Sequence, residues 1–481
     1  MNGLNERFDF RAPVPDLSEL GAVHFIAIGG SGMSGVARVM LARGCRVSGS
    51  DAKDSPVLTA LAAEGATVWV GHDPAHLEGV DTVVISSAVR ETNPELAAAR
   101  QRGLRVLHRS QALASTMSTS RRLAVAGANG KTTTTSMLTV ALQHCGADPS
   151  FAAGGELAKH GTNAHWGTGE VFVAEADESD GSFLVYRPDV AIVTNVQPDH
   201  LDFYGTFENV QRAYAEFAES VVDGGLLVAC QDDEGSRALA DVARAAGRRV
   251  LTYGWSADAD VSLSGPIAHG LMSRATLTDA DGRTRALRIN IPGRHNLLNA
   301  AAAYTAATAG LGQDPTRVLD GLFGFTGTRR RFEPKGTAAG VSVVDDYAHN
   351  PGKVAAVVET ATQLVADAGS GRLVVVFQPH LYSRTRDFAL EFAAALAPAD
   401  AVVLMEVYGA REDPIPGVSS SLIADALRDM RPDVDVEVVP SWSAVAEATA
   451  RRARPGDLVL TVGAGDVTMI GPEVLRALGQ A

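Results

Sequence analysis

The stretch Gly127-Ala128-Asn129-Gly130-Lys131-Thr132-Thr133-Thr134-Thr135 decides how this chain is read. It follows the apolar run Leu123-Ala124-Val125-Ala126, which reads as a buried strand. It precedes Ser136-Met137-Leu138-Thr139-Val140-Ala141-Leu142, which reads as a helix. Strand, glycine turn, Lys-Thr and helix together make a phosphate cradle. Backbone N–H groups and the helix N-terminus face the anion, the lysine neutralises it, and the threonine hydroxyl can hold Mg²⁺. The usual Gly-x-x-x-x-Gly-Lys-Thr spacing would need glycine at Val125, so this loop is the shorter Gly-x-x-Gly-Lys-Thr. A chance Gly/Thr-rich helix start is the alternative; the flanking strand and helix favour ATP or GTP.

At 481 residues the chain predicts two to four domains, and 46% hydrophobic content suffices for several cores. A net charge of −14 argues against a general nucleic-acid binder, which needs a basic excess. Cys45, Cys145 and Cys230 form no CxxC pair and no disulfide framework, which fits a reducing, cytoplasmic compartment. No apolar run is long enough for a membrane span. Residues 1–15 are polar and charged, lack a signal-peptide core, and read as a loose tail.

Strand-like runs alternate with Ala-rich helical stretches, the pattern of parallel α/β units. Three blocks are expected: 1–118, 119–325 and 326–481. The first opens with Val23-His24-Phe25-Ile26-Ala27-Ile28 and a turn, Gly29-Gly30-Ser31-Gly32-Met33-Ser34-Gly35; a second strand ends in Asp51. A glycine turn after one strand and an acid after the next is Rossmann-like: the turn receives a diphosphate and the acid a ribose hydroxyl. NAD is the obvious guess, but the first glycine position is Ala27 and any nucleotide diphosphate suits this geometry.

The second block adds two strands that end in polar residues. One leads into Glu175-Ala176-Asp177-Glu178-Ser179-Asp180, the other into Asn195-Val196-Gln197-Pro198-Asp199-His200-Leu201-Asp202. Ligands bind at the carboxyl ends of parallel strands, so Glu175, Asp199 and His200 are expected near the Lys131 loop. Thr132 and Glu175 are candidates for one Mg²⁺ ion. Asp177, Glu178 and Asp180 read more simply as a solvated acidic loop. His200 reads either as a loop cap or as a metal ligand that suits Mn²⁺ better than Mg²⁺. Asn296 and Asn299 share a helix face and can read an adenine and its ribose, although Asn296 reads more simply as a helix cap.

The third block is another doubly wound sheet. Arg329-Arg330-Arg331 reads as a solvated face or as a phosphate clamp at a domain junction. His380 and Arg384, four apart after a strand end, can grip a carboxylate.

Together these motifs resemble the Mur ligases, and within them the members that add L-alanine to UDP-N-acetylmuramate. The likeness spans nearly the whole chain. It rests on His24 to Gly35, Gly130-Lys131-Thr132-Thr133-Thr134, Glu175 to Phe183 and Asp199-His200-Leu201-Asp202. It continues through His295-Asn296-Leu297-Leu298-Asn299-Ala300, Arg330-Arg331-Phe332-Glu333, Asp345 to Pro351, Phe377 to Thr385 and Gly463 to Asp466.

The resemblance implies three α/β domains: a Rossmann-like N-terminal domain for the UDP-sugar, a central P-loop domain for ATP, and a C-terminal Rossmann-like domain for the amino acid. It implies that ATP phosphorylates the muramoyl carboxylate and that the amine of L-alanine displaces phosphate from the acyl phosphate. It gives Gly30, Ser31, Gly32, Met33, Ser34 and Asp51 to UDP-N-acetylmuramate. ATP falls to Gly127, Ala128, Asn129, Gly130, Lys131, Thr132, Thr133, His295, Asn296, Asn299 and Arg331. Thr132, Glu175 and His200 fall to Mg²⁺ or Mn²⁺. Tyr347, His349, His380 and Arg384, with His200, fall to the muramoyl or alanine carboxylates, and Lys131, Glu175, His200, His349 and Arg384 are the implied catalytic set. A monomer or homodimer with small-molecule substrates is implied.

Four positions depart from the pattern: Ala128-Asn129 stand where the family usually has Thr-His, Gln197 where it has an acid, and Asn350 where it has a second histidine. No lysine lies between His200 and Gly224, so the carbamylated lysine of several sister ligases is not expected. Three other readings remain: a related ligase for glycine or serine, an NAD-dependent dehydrogenase fused to a P-loop module, and a non-catalytic nucleotide-binding scaffold. An intact Lys131, Thr132 and Glu175 argues against the last.

Overall fold

A computed structural model describes residues 5, 7–157, 161–410 and 412–480. Among them, three sheets form. The first holds β1 (Val23–Ile26), β2 (Val47–Asp51), β3 (Thr67–Val70), β4 (Thr82–Ile85) and β5 (Arg105–His108). Its order is β3-β2-β1-β4-β5 and every pairing is parallel. The order reverses at β1, so the turn of residues 27–30 opens at the switch point, where open sheets bind ligands. The turn leads into the helix Ser31–Ala42.

The second sheet has ten strands. They are β6 (Arg121–Ala126), β7 (Ser150–Leu157), β8 (Thr162–His165), β9 (Val171–Glu175), β10 (Val190–Val193), β11 (Leu226–Cys230), β12 (Arg249–Gly254), β13 (Val261–His269), β14 (Met272–Thr278) and β15 (Thr284–Ile289). The order is β15-β14-β13-β12-β11-β10-β6-β9-β7-β8. All four residues of β10 and all five of β11 are buried, as expected of parallel strands covered on both faces. The third sheet holds β16 (Glu333–Ala338), β17 (Val341–Asp346), β18 (Leu373–Phe377), β19 (Ala401–Met405), β20 (Asp435–Val439) and β21 (Leu458–Val462), in the order β16-β17-β21-β18-β19-β20.

The expectation of purely parallel α/β units needs correction. The pairs β7–β8 and β16–β17 are antiparallel, and β12 to β15 follow one another without an intervening helix.

By packing, the chain divides into two compact units. One comprises residues 1–265, 275–288 and 298–325; the other comprises 266–274, 289–297 and 326–481. Within the first unit a continuous core joins Met33, Val36 and Met40 of the helix Ser31–Ala42 to Ala164, Phe172, Phe183 and Phe217 beneath the second sheet. Within the second unit, separate apolar clusters cover the two faces of the third sheet.

The N-terminal segment is not a loose tail where it is described. Phe10 is buried, Phe8 and Phe10 pack against the His108 ring, and Arg11 pairs with Glu216. Residues 1–4 and 6 lie outside the described residues. Aromatic burial outweighs the polarity that suggested a free end. Among the described residues no helix is long and apolar enough to cross a membrane.

Candidate active site

Strand order brings the predicted residues of the first unit together. β6 lies between β10 and β9, with Ala126 level with Val193 and Val125 level with Glu175. The loops leaving these three strands therefore open at one edge. Gly127 and Gly130 take φ of +136° and +87°, values that L side chains avoid. A Cβ at Gly127 would lie 1.9 Å from Thr194 Oγ1, and one at Gly130 would lie 2.6 Å from Asn299 Oδ1. Glycine is thus required at both ends of the loop, and Asn299 flanks it.

The helix Lys131–His144 begins directly after Gly130. Lys131 Nζ donates to Gly127 O at 2.7 Å and to Glu178 Oε1 at 2.8 Å, and it lies 2.8 Å from Oε2 as well. Glu178 is 2% exposed. Burial pushes its carboxyl above the usual range, and Lys131 opposes this. Thr132 Oγ1 donates to Glu175 Oε1 at 3.0 Å, and the Gly154 N–H donates to Glu175 Oε2 at 2.5 Å.

The 177–180 segment is not the solvated loop its composition suggests. Asp177 pairs with Arg109 at 2.7 Å, and Asp180 accepts from Ser87 Oγ at 2.5 Å beside His108 Nε2 at 3.2 Å. Cationic and hydrogen-bonding partners from the first sheet's loops stabilise these carboxylates, Asp177 half-buried and Asp180 buried. Glu178 is the site residue that motif reading missed. Its signal was its place three residues beyond Glu175, at a strand end that also carries the metal candidate.

His200 sits at φ +52°, with Nε2 3.7 Å from Glu178 Oε1 and 3.9 Å from Asp199 Oδ2. The structure thus pairs Thr132 with Glu175 and turns His200 toward Glu178. Among the described residues, no three or more His, Cys, Asp or Glu side chains are arranged as a metal cluster. Two departures from the expected pattern meet each other: Asn129 Nδ2 donates to Gln197 Oε1 at 3.1 Å, and Gln197 Nε2 donates to Asp233 at 2.9 Å.

In the first sheet Ala27 adopts φ +64°, taking the left-handed conformation usual for the missing glycine. Asp51 Oδ2 accepts from the Gly29 N–H at 2.9 Å, so it braces the turn. The following 30–34 segment, Gly30 to Ser34, is the helix N-terminus; Ser31 O accepts from Asn163 Nδ2 at 2.8 Å.

His295, Asn296 and Asn299 lie on the helix Arg294–Thr305. Asn296 is no N-cap. It sits inside the first turn, and its Nδ2 donates to Pro292 O at 2.6 Å, whereas a cap accepts from backbone N–H.

In the second unit β21 lies between β17 and β18, with Val462 level with Asp346 and with Phe377. The loops carrying Tyr347 and His349, Gln378 to Arg384, and Gly463 to Asp466 therefore converge. His349 Nδ1 lies 2.9 Å from Tyr347 O, its ring centroid is 5.9 Å from that of His380, and Arg384 Nη1 donates to His349 O at 3.4 Å. Arg329 is exposed, but Arg330 and Arg331 are half-buried rather than part of a solvated face. Arg330 donates to Gly463 O at 2.7 Å, and Arg330 and Arg331 lie over the Tyr347 ring at 4.7 and 5.3 Å. Asn350 caps the helix Pro351–Ala368 by accepting from the Lys353 N–H at 2.9 Å.

Family models place three consecutive matches on the chain. They are the Mur ligase family catalytic domain over residues 22–121, the Mur ligase middle domain over 125–307, and the Mur ligase glutamate ligase domain over 330–465. A UDP-N-acetylmuramate–L-alanine ligase of Kineococcus radiotolerans is 57% identical over 98% of this chain and 98% of its own. One of a Mycobacterium species is 53% identical over 97% and 96%. The crystal structure of a UDP-N-acetylmuramate–alanine ligase from Thermotoga maritima superposes with a TM-score of 0.80 at 29% identity, covering 95% of this chain and 98% of that one. With three consecutive family matches and near full-length identity above one half, this chain belongs to the Mur ligase family.

Proposed function

We propose that this chain joins L-alanine to the carboxylate of UDP-N-acetylmuramate, with ATP cleaved to ADP and phosphate, as a cytoplasmic monomer or homodimer in cell-wall precursor synthesis. The 57% identity over 98% of the chain to an enzyme of that name carries the reading. The domain boundaries we adopt are 118/119 and 325/326.

The chemistry sets a clear demand. A carboxylate must attack the γ-phosphate of ATP although both are anions, so cations have to stand between them. Lys131 supplies one at the phosphate loop, and its pairing with both oxygens of Glu178 holds its ammonium at the mouth of that loop. Thr132 and Glu175 present oxygen donors 3.0 Å apart, a set that suits Mg²⁺, and His200 is a third candidate better matched to Mn²⁺. When bound, the ion supplies charge neutralisation at the β- and γ-phosphates.

Gly127 to Thr133 cradle the triphosphate. Asn299, beside Gly130, together with His295 and Asn296, serves the nucleoside, and Arg331 serves a phosphate. Gly30 to Ser34 receive the UDP diphosphate on a helix N-terminus, with Asp51 bracing that turn. Tyr347, His349, His380 and Arg384 serve the acceptor side.

The test is ADP release from ATP in the presence of UDP-N-acetylmuramate and a panel of amino acids. Stimulation by L-alanine above glycine and serine is expected. Stimulation by another amino acid alone would transfer the specificity, and ATP turnover indifferent to the UDP-sugar would end the ligase reading.

A further inference from the structure

Amide formation has a second demand that the cations do not meet. The amino acid arrives as an ammonium, which has no lone pair, so a proton must leave before nitrogen can attack. We propose that Nε2 of His349 accepts this proton. The inference rests on the ligase reading above and gives His349 a role other than carboxylate binding.

The tautomer comes from geometry. His349 Nδ1 lies 2.9 Å from Tyr347 O, and a carbonyl oxygen can only accept, so Nδ1 carries the hydrogen. That leaves the lone pair of the neutral ring on Nε2. The ring is fixed in this pose. Tyr347 packs edge-on at 5.2 Å, His380 packs edge-on at 5.9 Å, and Arg384 ties down the His349 carbonyl. The next residue, Asn350, caps the helix Pro351–Ala368, which fixes the backbone on the other side.

The electrostatic surroundings keep the ring unprotonated at rest. Desolvation comes first, and Lys353, Arg384 and Arg331 add like charge, so the imidazole is held well below its usual range. The tyrosines Tyr347 and Tyr408 and the imidazole of His380, which stacks on Tyr408, complete the ring's setting. A neutral imidazole keeps an open lone pair for a proton, while the cations that hold it neutral also lower its basicity. The same cations ease proton loss from an ammonium placed beside them. A substrate carboxylate on Arg384 would offset part of that charge, which raises the basicity of the ring when substrate is present.

The step balances. The ammonium proton passes to Nε2, and the freed nitrogen lone pair forms the C–N bond to the acyl carbon. The C–O bond to phosphate then breaks, phosphate leaves with that electron pair and takes up the second proton of the now cationic nitrogen, and the imidazolium returns its proton to water.

The test separates this step from the one before it. His349→Gln is assayed in the full-length enzyme with UDP-N-acetylmuramate and ATP, using either L-alanine or hydroxylamine as nucleophile. Hydroxylamine is neutral at neutral pH and needs no base. The expected result is a loss of about 10²–10⁴-fold in amide formation with L-alanine. Hydroxamate formation should stay within a few-fold of wild type, and the alanine defect should shrink as pH rises. An equal loss with both nucleophiles, or an alanine defect flat in pH, overturns the proposal and assigns His349 to the phosphoryl step or to structure. If wild-type enzyme gives neither ADP nor hydroxamate with the UDP-sugar, the ligase reading falls first and this proposal with it.

Discussion

Replacing Lys131 with alanine leaves the Glu178 carboxylate, 2% exposed, without the ammonium that touches both its oxygens at 2.8 Å. Removing one partner of a buried ion pair typically costs about 3–5 kcal/mol, because the survivor keeps its desolvation penalty and loses its compensation. His200, 3.7 Å away, and the Tyr204 hydroxyl, which donates to Glu178 O and not to the carboxylate, compensate little. The carboxyl's escape is to bind a proton. Burial already raises its pKa above the ordinary 4.5 with Lys131 present, and Lys131 is the main opposing influence. The sign follows from linkage. A raised folded-state pKa means the native state is favoured where the group is protonated, so the Lys131→Ala deficit is small below about pH 4.5 and grows as pH rises. Lys131→Ala/Glu178→Gln removes both charges and should recover most of the stability at neutral pH. It should not recover turnover, which falls about a thousandfold in either variant when the cation at the phosphate is gone. Urea unfolding of the variants between pH 4 and 8, beside ADP release, reads both quantities (about 4 to 8 spans the glutamate range). A Lys131→Ala midpoint equal to wild type at neutral pH would refute the pairing. A double variant no more stable than the single would show that Lys131 acts through something other than the Glu178 charge. Near-normal turnover in either would remove Lys131 from catalysis.

Two further outcomes follow from the same geometry. Gly127→Ala forces a Cβ to within 1.9 Å of Thr194 Oγ1 at φ +136°, so it should strain the loop by about 1–3 kcal/mol and weaken nucleotide binding while sparing UDP-sugar binding, as titration calorimetry with each ligand would show. Glu95 is fully buried and touched by Ser50, His72 and His76; burial raises its pKa, and contacts with His24, Ser50 and His76 more than reverse this, bringing it down to about 2. It should therefore contribute about 3 kcal/mol of stability above pH 4.5 that is lost as pH falls toward about 2, and Glu95→Gln should flatten this acid limb in circular dichroism.

Much of the local geometry of the candidate site was legible because it is set by neighbouring residues. The Lys131 loop announces itself through glycine, lysine and threonine within nine residues, and each strand-end motif carries its own punctuation. Composition misled where burial depends on distant partners. The acidic segment 177–180 read as solvated, but Arg109, His108 and Ser87 reach it from the other sheet of the same unit. Asn296 read as a cap because asparagine opens many helices, yet the helix Arg294–Thr305 begins two residues earlier. Arg330 read as a solvated face or a phosphate clamp, and the solvated reading fails because it closes on carbonyls more than a hundred residues away. Asn129 and Gln197 looked like separate departures, and they hydrogen-bond to each other.

The sequence by itself determined the α/β class, the phosphate loop and the types of residue that stand at each strand end. These depend on backbone conformation and on chemistry within a single turn, which a few neighbouring residues control. The tertiary structure decided which strand ends are neighbours, and so which side chains meet: Glu178 under Lys131, Glu175 on Thr132, Asn299 beside Gly130, and His349 locked by Tyr347 O among cations. Strand order and register follow from packing many residues at once, so the pairs that set charge and tautomer appear only when the sheet is assembled.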